Sequence, residues 1–243
     1  MPLPFFITYE HPTDELVGIV ESSFSLFESL GNVTIPRQHF GNGPWKQGEY
    51  GSFDWYLQQA FDSSRGQISS EKLWDLFLKE PFQKTQRHYE LAVLDTDIFT
   101  SGTNFVYGVT RPQIFNNGGI ISDGQGEHFR VSGLLQSTHR MKEGFFSWQK
   151  YFQGILIHEM GHFFGLASTQ NPNYLGYNDP RAQGYLDINH CDDRSCIMEQ
   201  VDISGRPTLS RKVDFVTSTN PLWFCKSDVK ALRTNLQNLY GGQ

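Results

Sequence analysis

The sequence predicts an α/β protein in which a twisted mixed sheet precedes a long helix carrying the candidate site. Strand-like and helix-like segments alternate through the first half of the chain, which is typical of such a sheet. A helical pattern of about twenty residues then ends at Gly165, and a mostly irregular region follows before a last helix. We therefore expect one domain over 1–243, with an N-terminal subdomain (1–165) and a small C-terminal subdomain (166–243).

Each element follows from its own residues. Residues 4–10 are rich in strand formers, and Asp14 and Glu15 suit the positive end of a helix over 14–31. Gly165 is placed to take the left-handed conformation that ends a helix. The other predicted elements are a strand over 32–36, an irregular stretch over 39–51, a helix over 69–80, a strand over 89–99, two strands joined by a turn at 116–119, a loop over 169–189 and a helix over 227–239.

The composition is typical of a soluble globular protein and argues against a binder of nucleic acid or anionic membranes. Hydrophobic residues make up 38% and charged residues 19%, and the net charge of −6 argues against nucleic acid or an anionic membrane as partner. We read no signal peptide and no membrane span, and so expect a cytoplasmic monomer. Three cysteines, Cys191, Cys196 and Cys225, suit metal ligation better than disulfides in a reducing compartment.

The stretch GILIHEMGHFFGLAS places two histidines one helical turn apart. His158 and His162 lie on one face, where both imidazoles reach one metal ion, and Glu159 lies beside them as a candidate base. A chance arrangement on a core helix is the alternative, but the long helix ending in glycine favours the metal. Downstream, the candidates for a third ligand are Asp179, Asp187, His190 and the acids at 192 and 193; we favour His190, because its imidazole matches the other two.

Here the sequence resembles the archaemetzincins, whose signature is HExxHxxGxxHC, then four residues and Cys, one residue and Met, and later CxxC. The resemblance implies a metzincin-like zincin fold and a zinc-dependent metallopeptidase acting on a peptide or protein substrate. An aminopeptidase on short peptides is one form of this activity. The segments 63–73 and 97–109 also resemble the family's Arg-x-Gln and Asn-Phe-Val-aromatic-Gly stretches. The signature matches are His158, Glu159, His162, Gly165, His190, Cys191, Cys196 and Met198.

Two departures from that signature stand out. The family's third histidine follows the glycine by three residues, whereas His190 lies 25 past Gly165, so we interpret 168–189 as a 22-residue insertion. Emerging beside the cleft, it is either a lid or specificity element or a passive loop. The family's second, structural zinc has four cysteines, and here Asp228 stands at the fourth position. Asp228 is either a zinc ligand or a cap of the last helix.

The resemblance also implies two further roles. Met198 would form the Met-turn beneath the catalytic metal, and the strand with Gly119, Ile120 and Ile121 would hold an extended substrate by main-chain hydrogen bonds. An ordinary interior strand is the alternative for the latter. The competing hypothesis for the whole chain is a catalytically silent zinc-binding or interaction protein of the same fold. The intact Glu159 argues against it, because a non-catalytic site has no use for a base there.

Overall fold

The structure, a computed structural model, divides into two compact units. The first contains Met1–Val17 and Ile35–Phe146, and the second contains Gly18–Thr34 and Ser147–Gln243. The boundary precedes the histidine-bearing helix, whereas the sequence predicts it after residue 165. The structure describes residues 2–41, 52–80, 83, 86–111, 120–122, 127–129, 132–144, 147–166, 174–175, 190–191, 196–198 and 223–242.

Six helices and twelve strands lie within these ranges. The helices are α1 (Asp14–Gly31), α2 (Phe53–Ala60), α3 (Ser70–Lys79), α4 (His139–Gly144), α5 (Trp148–Phe163) and α6 (Lys226–Tyr240). The strands are β1 (Phe5–Tyr9), β2 (Arg37–Gly41), β3 (Phe61–Asp62), β4 (Gln67–Ser69), β5 (Tyr89–Leu94), β6 (Ile98–Phe99), β7 (Gly108–Arg111), β8 (Ile120–Ser122), β9 (Glu127–Phe129), β10 (Gly133–Ser137), β11 (Tyr174–Leu175) and β12 (His190–Cys191).

A five-stranded mixed sheet organises the first unit, in the order β2-β1-β5-β10-β7. Strands β2, β1, β5 and β10 are parallel, and β7 joins β10 antiparallel at one edge. Every residue of β1, β5 and β10 is buried, including the polar Glu90 and Gln136, as expected for the interior strands of a mainly parallel sheet. The mixed α/β class predicted from the sequence is confirmed.

The two segments of the first unit that resemble archaemetzincin stretches meet in a polar network. The Gln67 side-chain amide donates to the Asp97 carboxylate (2.7 Å) and to the Asn104 carbonyl (2.9 Å). The Arg65 guanidinium donates to the Thr103 carbonyl at 2.8 Å, and Arg140 forms an ion pair with Asp97 at 2.6 Å. These contacts hold the chain between β6 and β7.

Helix α5 in the second unit ends in a Schellman motif. Gly165 has φ +83°, the left-handed conformation predicted for it. Its N–H donates to the His162 carbonyl (3.0 Å), and the Leu166 N–H donates to the Gly161 carbonyl (2.9 Å). The helix therefore stops at Phe163, one residue after His162, because glycine takes this conformation without the steric cost of a Cβ.

Helices α1 and α6 pack closely within the same unit. A Cβ at Gly31 would lie 2.8 Å from the Leu236 Cβ, so the glycine permits the close approach of the two helices. The Phe27 ring lies 5.0 Å from the Phe164 ring and 5.7 Å from the Phe224 ring. This aromatic contact links α1 to the ends of the segments that carry the candidate site.

Several predicted boundaries differ from the structure. Strand β2 begins after Pro36 rather than within 32–36, because the proline cannot donate to a sheet. The strand predicted over 89–99 is broken at 95–97, where the Glu10 carboxylate accepts from the N–H groups of Asp95 and Thr96. Strands β7 and β8 do not form a hairpin with each other, since β7 pairs with β10 and β8 with β9. Among the described helices, none is long and apolar enough to cross a membrane.

Candidate metal centres

The histidine pair on α5 is arranged as one half of a metal site. The Nε2 atoms of His158 and His162 lie 3.1 Å apart. Two nitrogen ligands of one tetrahedral zinc would be separated by about 3.4 Å at ordinary bond lengths. His158 is 4% exposed, and its neighbour one turn on is half-buried. The geometry therefore fits a zinc ion held jointly by both Nε2 atoms.

A carbonyl from outside the helix orients His158. The Nδ1 atom of His158 lies 2.7 Å from the carbonyl oxygen of Ile197. A carbonyl only accepts, so Nδ1 must carry the proton and donate, which leaves the Nε2 lone pair available for a metal. Such a bond to the second ring nitrogen is the usual support of a metal-binding histidine.

Met198 lies against the helix between the two histidines. A Cβ at Gly161 would stand 2.5 Å from the Met198 sulfur, so the bare backbone of Gly161 makes room for this side chain. Met198 is fully buried, and its carbonyl accepts a hydrogen bond from the Cys191 N–H at 2.8 Å. Met198 is thus placed beside the histidine helix. Its role as the Met-turn beneath a bound metal remains a prediction.

The other residues predicted for this centre are placed less fully. Glu159 follows His158 on α5 and is half-buried. The backbone of His190 lies in β12, where it pairs with Leu175 of β11, and its side chain lies outside the described part of the structure. Of the predicted insertion 168–189, only the two residues of β11 are described. The alternative ligands also lie outside the described residues: Asp179, Asp187 and the acids at 192 and 193.

Three cysteines and Asp228 form a second, sulfur-rich centre. One potential ligand atom from each of Cys191, Cys196, Cys225 and Asp228 lies within 4.8 Å of the other three, and all four residues are buried. The sulfurs of Cys191 and Cys225 are 3.8 Å apart, and sulfur ligands of one tetrahedral zinc are separated by about the same distance. This donor set of three soft sulfurs and one carboxylate fits zinc.

Asp228 points into this centre rather than capping a helix. The N-cap of α6 is Cys225, and Asp228 stands three residues further on, in the first turn. The Asp228 carboxylate is 1% exposed and accepts a hydrogen bond from the Cys196 thiol at 3.0 Å. A carboxylate in the first turn is favoured by the helix dipole, and here the same position supplies the fourth donor.

The thiols of the sulfur centre differ in acidity. Hydrogen bonds from the Cys191 and Cys196 thiols, and from the Ser227 hydroxyl, lower the pKa of Cys225 well below its ordinary value. Hydrogen bonding with Cys191 and Cys225, together with burial, raises the pKa of Cys196. A metal ion binding here would displace the protons of the thiols that it coordinates.

The strand predicted to hold substrate lies only partly within the described residues. Ile120 and Ile121 lie in β8, which pairs antiparallel with β9 in a separate two-stranded sheet, and Gly119 lies outside the described residues. The antiparallel edge of the five-stranded sheet is β7. The expectation that 119–121 borders a cleft therefore remains a prediction.

Sequence reasoning missed two contributors, the Ile197 carbonyl and Gly161. A main-chain carbonyl leaves no mark in its own side chain, so nothing in the sequence identified the first. Gly161 did carry a signal, because a glycine inside a helix costs up to about 1 kcal/mol relative to alanine and usually marks a close approach. The approaching group proves to be Met198.

The chain is similar to known archaemetzincins and to a zinc-dependent peptidase. A curated archaemetzincin of Nanoarchaeum equitans (strain Kin4-M) is 26% identical over 137 residues, 56% of this chain, and the chain spans 62% of the length of that relative. A solved archaemetzincin of Methanopyrus kandleri matches with a TM-score of 0.54 at 18% identity, covering 97% of this chain and 96% of that one. A zinc-dependent peptidase of Methanocorpusculum labreanum (strain Z) matches with a TM-score of 0.53 at 17% identity, covering 94% and 99%.

No protein-family model matches the chain. At these identities, the solved structures establish the fold, and the curated relative adds the likeness in sequence. Together they confirm that the chain resembles the archaemetzincins in sequence and has their mixed α/β fold.

Proposed function

We propose that this chain is a zinc-dependent metallopeptidase. The observation that carries the proposal is the pair of Nε2 atoms 3.1 Å apart, one of them oriented by the Ile197 carbonyl. The hydrogen bond to this carbonyl fixes the tautomer of His158 in which the Nε2 lone pair is available to a metal. The curated archaemetzincin relative and the zinc-dependent peptidase of the same fold support the same conclusion.

The proposed ligands of the catalytic zinc are His158, His162 and His190, which leaves one position open for substrate and water. A bound zinc would supply an acidified water, with a pKa of about 7, and polarise a peptide carbonyl. Glu159 takes the proton from the attacking water and returns it to the leaving amine. Glu159 lies directly after His158 on α5.

The proposed second zinc is structural. Cys191, Cys196, Cys225 and Asp228 would fill all four of its positions, which closes the site to substrate. The four donors come from segments that share no helix or strand, so the ion would tie these segments together. We therefore expect two zinc ions for each chain.

Glu159→Gln tests the mechanism. The substitution preserves the shape of the side chain but removes the base, so we expect peptide hydrolysis to fall by at least about a hundredfold while zinc content stays unchanged. Glu143→Gln is the matched control, because this exposed glutamate lies on α4 and has no place in the proposed site. Hydrolysis of fluorogenic peptides and zinc content by elemental analysis are the two measurements.

Each outcome of that experiment separates the hypotheses. Retained hydrolysis in Glu159→Gln contradicts the proposed role of the glutamate. A wild-type chain that holds zinc yet cleaves no peptide favours the catalytically silent binding protein. The finer proposal, an aminopeptidase on short peptides, predicts that an N-terminally acetylated peptide is cleaved far more slowly than its free counterpart, and equal rates contradict it.

A further inference from the structure

The three residues between the two centres form a single turn with one role for each centre. The Cys196 sulfur lies in the sulfur centre, the Ile197 carbonyl accepts from His158, and the Met198 side chain fills the space above Gly161. All three residues are fully buried. A displacement of this turn would therefore move groups at both centres, the Cys196 sulfur and the Ile197 carbonyl.

The turn is held by two main-chain hydrogen bonds, one at Ile197 and one at Met198. The Ile197 N–H donates to the Trp223 carbonyl, two residues before Cys225, at 2.8 Å. The Met198 carbonyl accepts from the Cys191 N–H, also at 2.8 Å. The neighbours of the turn are thus the same segments that supply the other sulfur ligands, and ordering the sulfur centre orders the carbonyl that faces His158.

We infer that metal binding at the sulfur centre raises zinc affinity at the histidine centre, through the Cys196–Ile197–Met198 turn. The inference rests on the proposed function, because it requires zinc at the histidines. The turn acts as a positioning element: filling the sulfur centre fixes Cys196, and the adjacent Ile197 carbonyl then holds His158 in the tautomer and rotamer that present Nε2. Supports of this kind change metal affinity by roughly 10- to 100-fold when they are removed.

Thermodynamic reciprocity requires the coupling between the two centres to be equal in both directions. If filling the sulfur centre tightens the histidine centre by a given factor, filling the histidine centre must tighten the sulfur centre by the same factor. Two residues outside the turn allow each centre to be emptied separately. Asp228 is a donor of the sulfur centre carried by α6, and His162 is a donor of the histidine centre that takes no part in the bond to Ile197.

The first arm of the test empties the sulfur centre with the double variant Asp228→Asn/Cys225→Ser, which leaves 196–198 unchanged. We expect its dissociation constant for zinc at the histidine centre to rise by about tenfold, measured by competition with a chelator. Asp54→Asn is the matched control, because Asp54 also lies in the first turn of a helix but is exposed and far along the chain from the sulfur ligands. It should bind zinc as the wild type does.

The second arm empties the histidine centre with His162→Ala. Cobalt replaces zinc here, because thiolate-to-cobalt charge-transfer absorption reports the sulfur centre alone. We expect cobalt affinity at the sulfur centre to fall in His162→Ala by the factor that the first arm, repeated with cobalt, gives for the histidine centre. Unequal factors, or a histidine-centre affinity within twofold of wild type in the double variant, would overturn the inference.

A third variant keeps the test decisive if the double variant fails to fold. Asp228→Cys supplies a fourth sulfur and should fill its centre at metal concentrations that only half fill the natural one. At those concentrations we expect tighter zinc binding at the histidines, and unchanged binding overturns the coupling. A wild-type chain that holds no zinc at its histidines contradicts the proposed function itself, which distinguishes the two failures.

Discussion

The histidine centre takes both of its described ligands from one helix, whereas the sulfur centre collects its donors from β12, from the turn at 196–198 and from the start of α6. The spacing of His158 and His162 is fixed by helical geometry before any tertiary contact forms. The donors of the sulfur centre include Cys196 and Cys225, which stand 29 positions apart in the chain, and bringing them together costs conformational entropy. A ligand set on one helix is therefore preorganised, and one spread along the chain depends more on its metal.

Paired substitutions at His190 and Cys225 should produce the largest effects on this comparison. We expect His190→Ala to lower zinc affinity at the histidine centre by more than about a hundredfold, which exceeds the loss expected when only a supporting residue is removed. The sulfur centre should stay filled. Cys225→Ser should instead empty the sulfur centre and lower the free energy of unfolding, by up to about 4 kcal/mol at zinc a thousandfold above the dissociation constant. Elemental analysis and thermal unfolding with and without zinc measure both effects.

Two results would break the comparison. If His190→Ala holds both metals as tightly as wild type, His190 is not the third ligand and another donor completes the centre. If the two variants lose equal stability, the sulfur centre depends on its metal no more than the histidine centre does. Asp54→Asn again serves as the control that should match the wild type in both measurements.

The difference between the centres also explains how much the sequence could predict. The histidine pair, the helix and its end at Gly165 follow from local spacing, and the structure has the left-handed glycine where it was predicted. The sheet class was equally accessible, because β1 and α1 carry clear local signals. The sequence did not predict the strand partners. The sequence of β7 and β8 resembles a hairpin, but β7 pairs with β10 and β8 pairs with β9.

Asp228 marks the limit of local reasoning at the site. Its sequence context, after Ser227 at the start of a helix, fits a cap as well as a ligand, and only its burial among three sulfurs separates these roles. The Ile197 carbonyl lay beyond reach for a different reason, since a main-chain acceptor is set by the path of the chain and not by residue type. Pairing and burial are tertiary properties, so a single sequence specifies them least.

Gly161→Ala should have an intermediate effect, on the contact between the turn and the histidine helix. The new methyl group would meet the Met198 sulfur at 2.5 Å, and overpacking of this kind costs about 2 kcal/mol in the free energy of unfolding. In a Met198→Ala background the clash is gone, so the same substitution should become neutral or stabilise α5 by up to about 1 kcal/mol. Chemical denaturation of the four chains of this double-mutant cycle measures the coupling. If the two substitutions change the free energy of unfolding additively, the Met198 side chain and Gly161 are not coupled through this contact.

Gly165→Ala should have the smallest effect, and it isolates the local contribution to the histidine centre. Alanine at φ +83° is strained, so we expect a loss of about 1 kcal/mol in the free energy of unfolding. Gly18→Ala is the matched control: it lies inside α1, the described residues place nothing within 4 Å of its Cβ, and it should stabilise by up to about 1 kcal/mol. Gly165 ends the helix and is not a ligand of the sulfur centre. Metal binding at the sulfur centre should therefore not change in Gly165→Ala. Equal losses at both centres would mean that the end of α5 also positions the turn, and that the histidine centre is less independent than its spacing suggests.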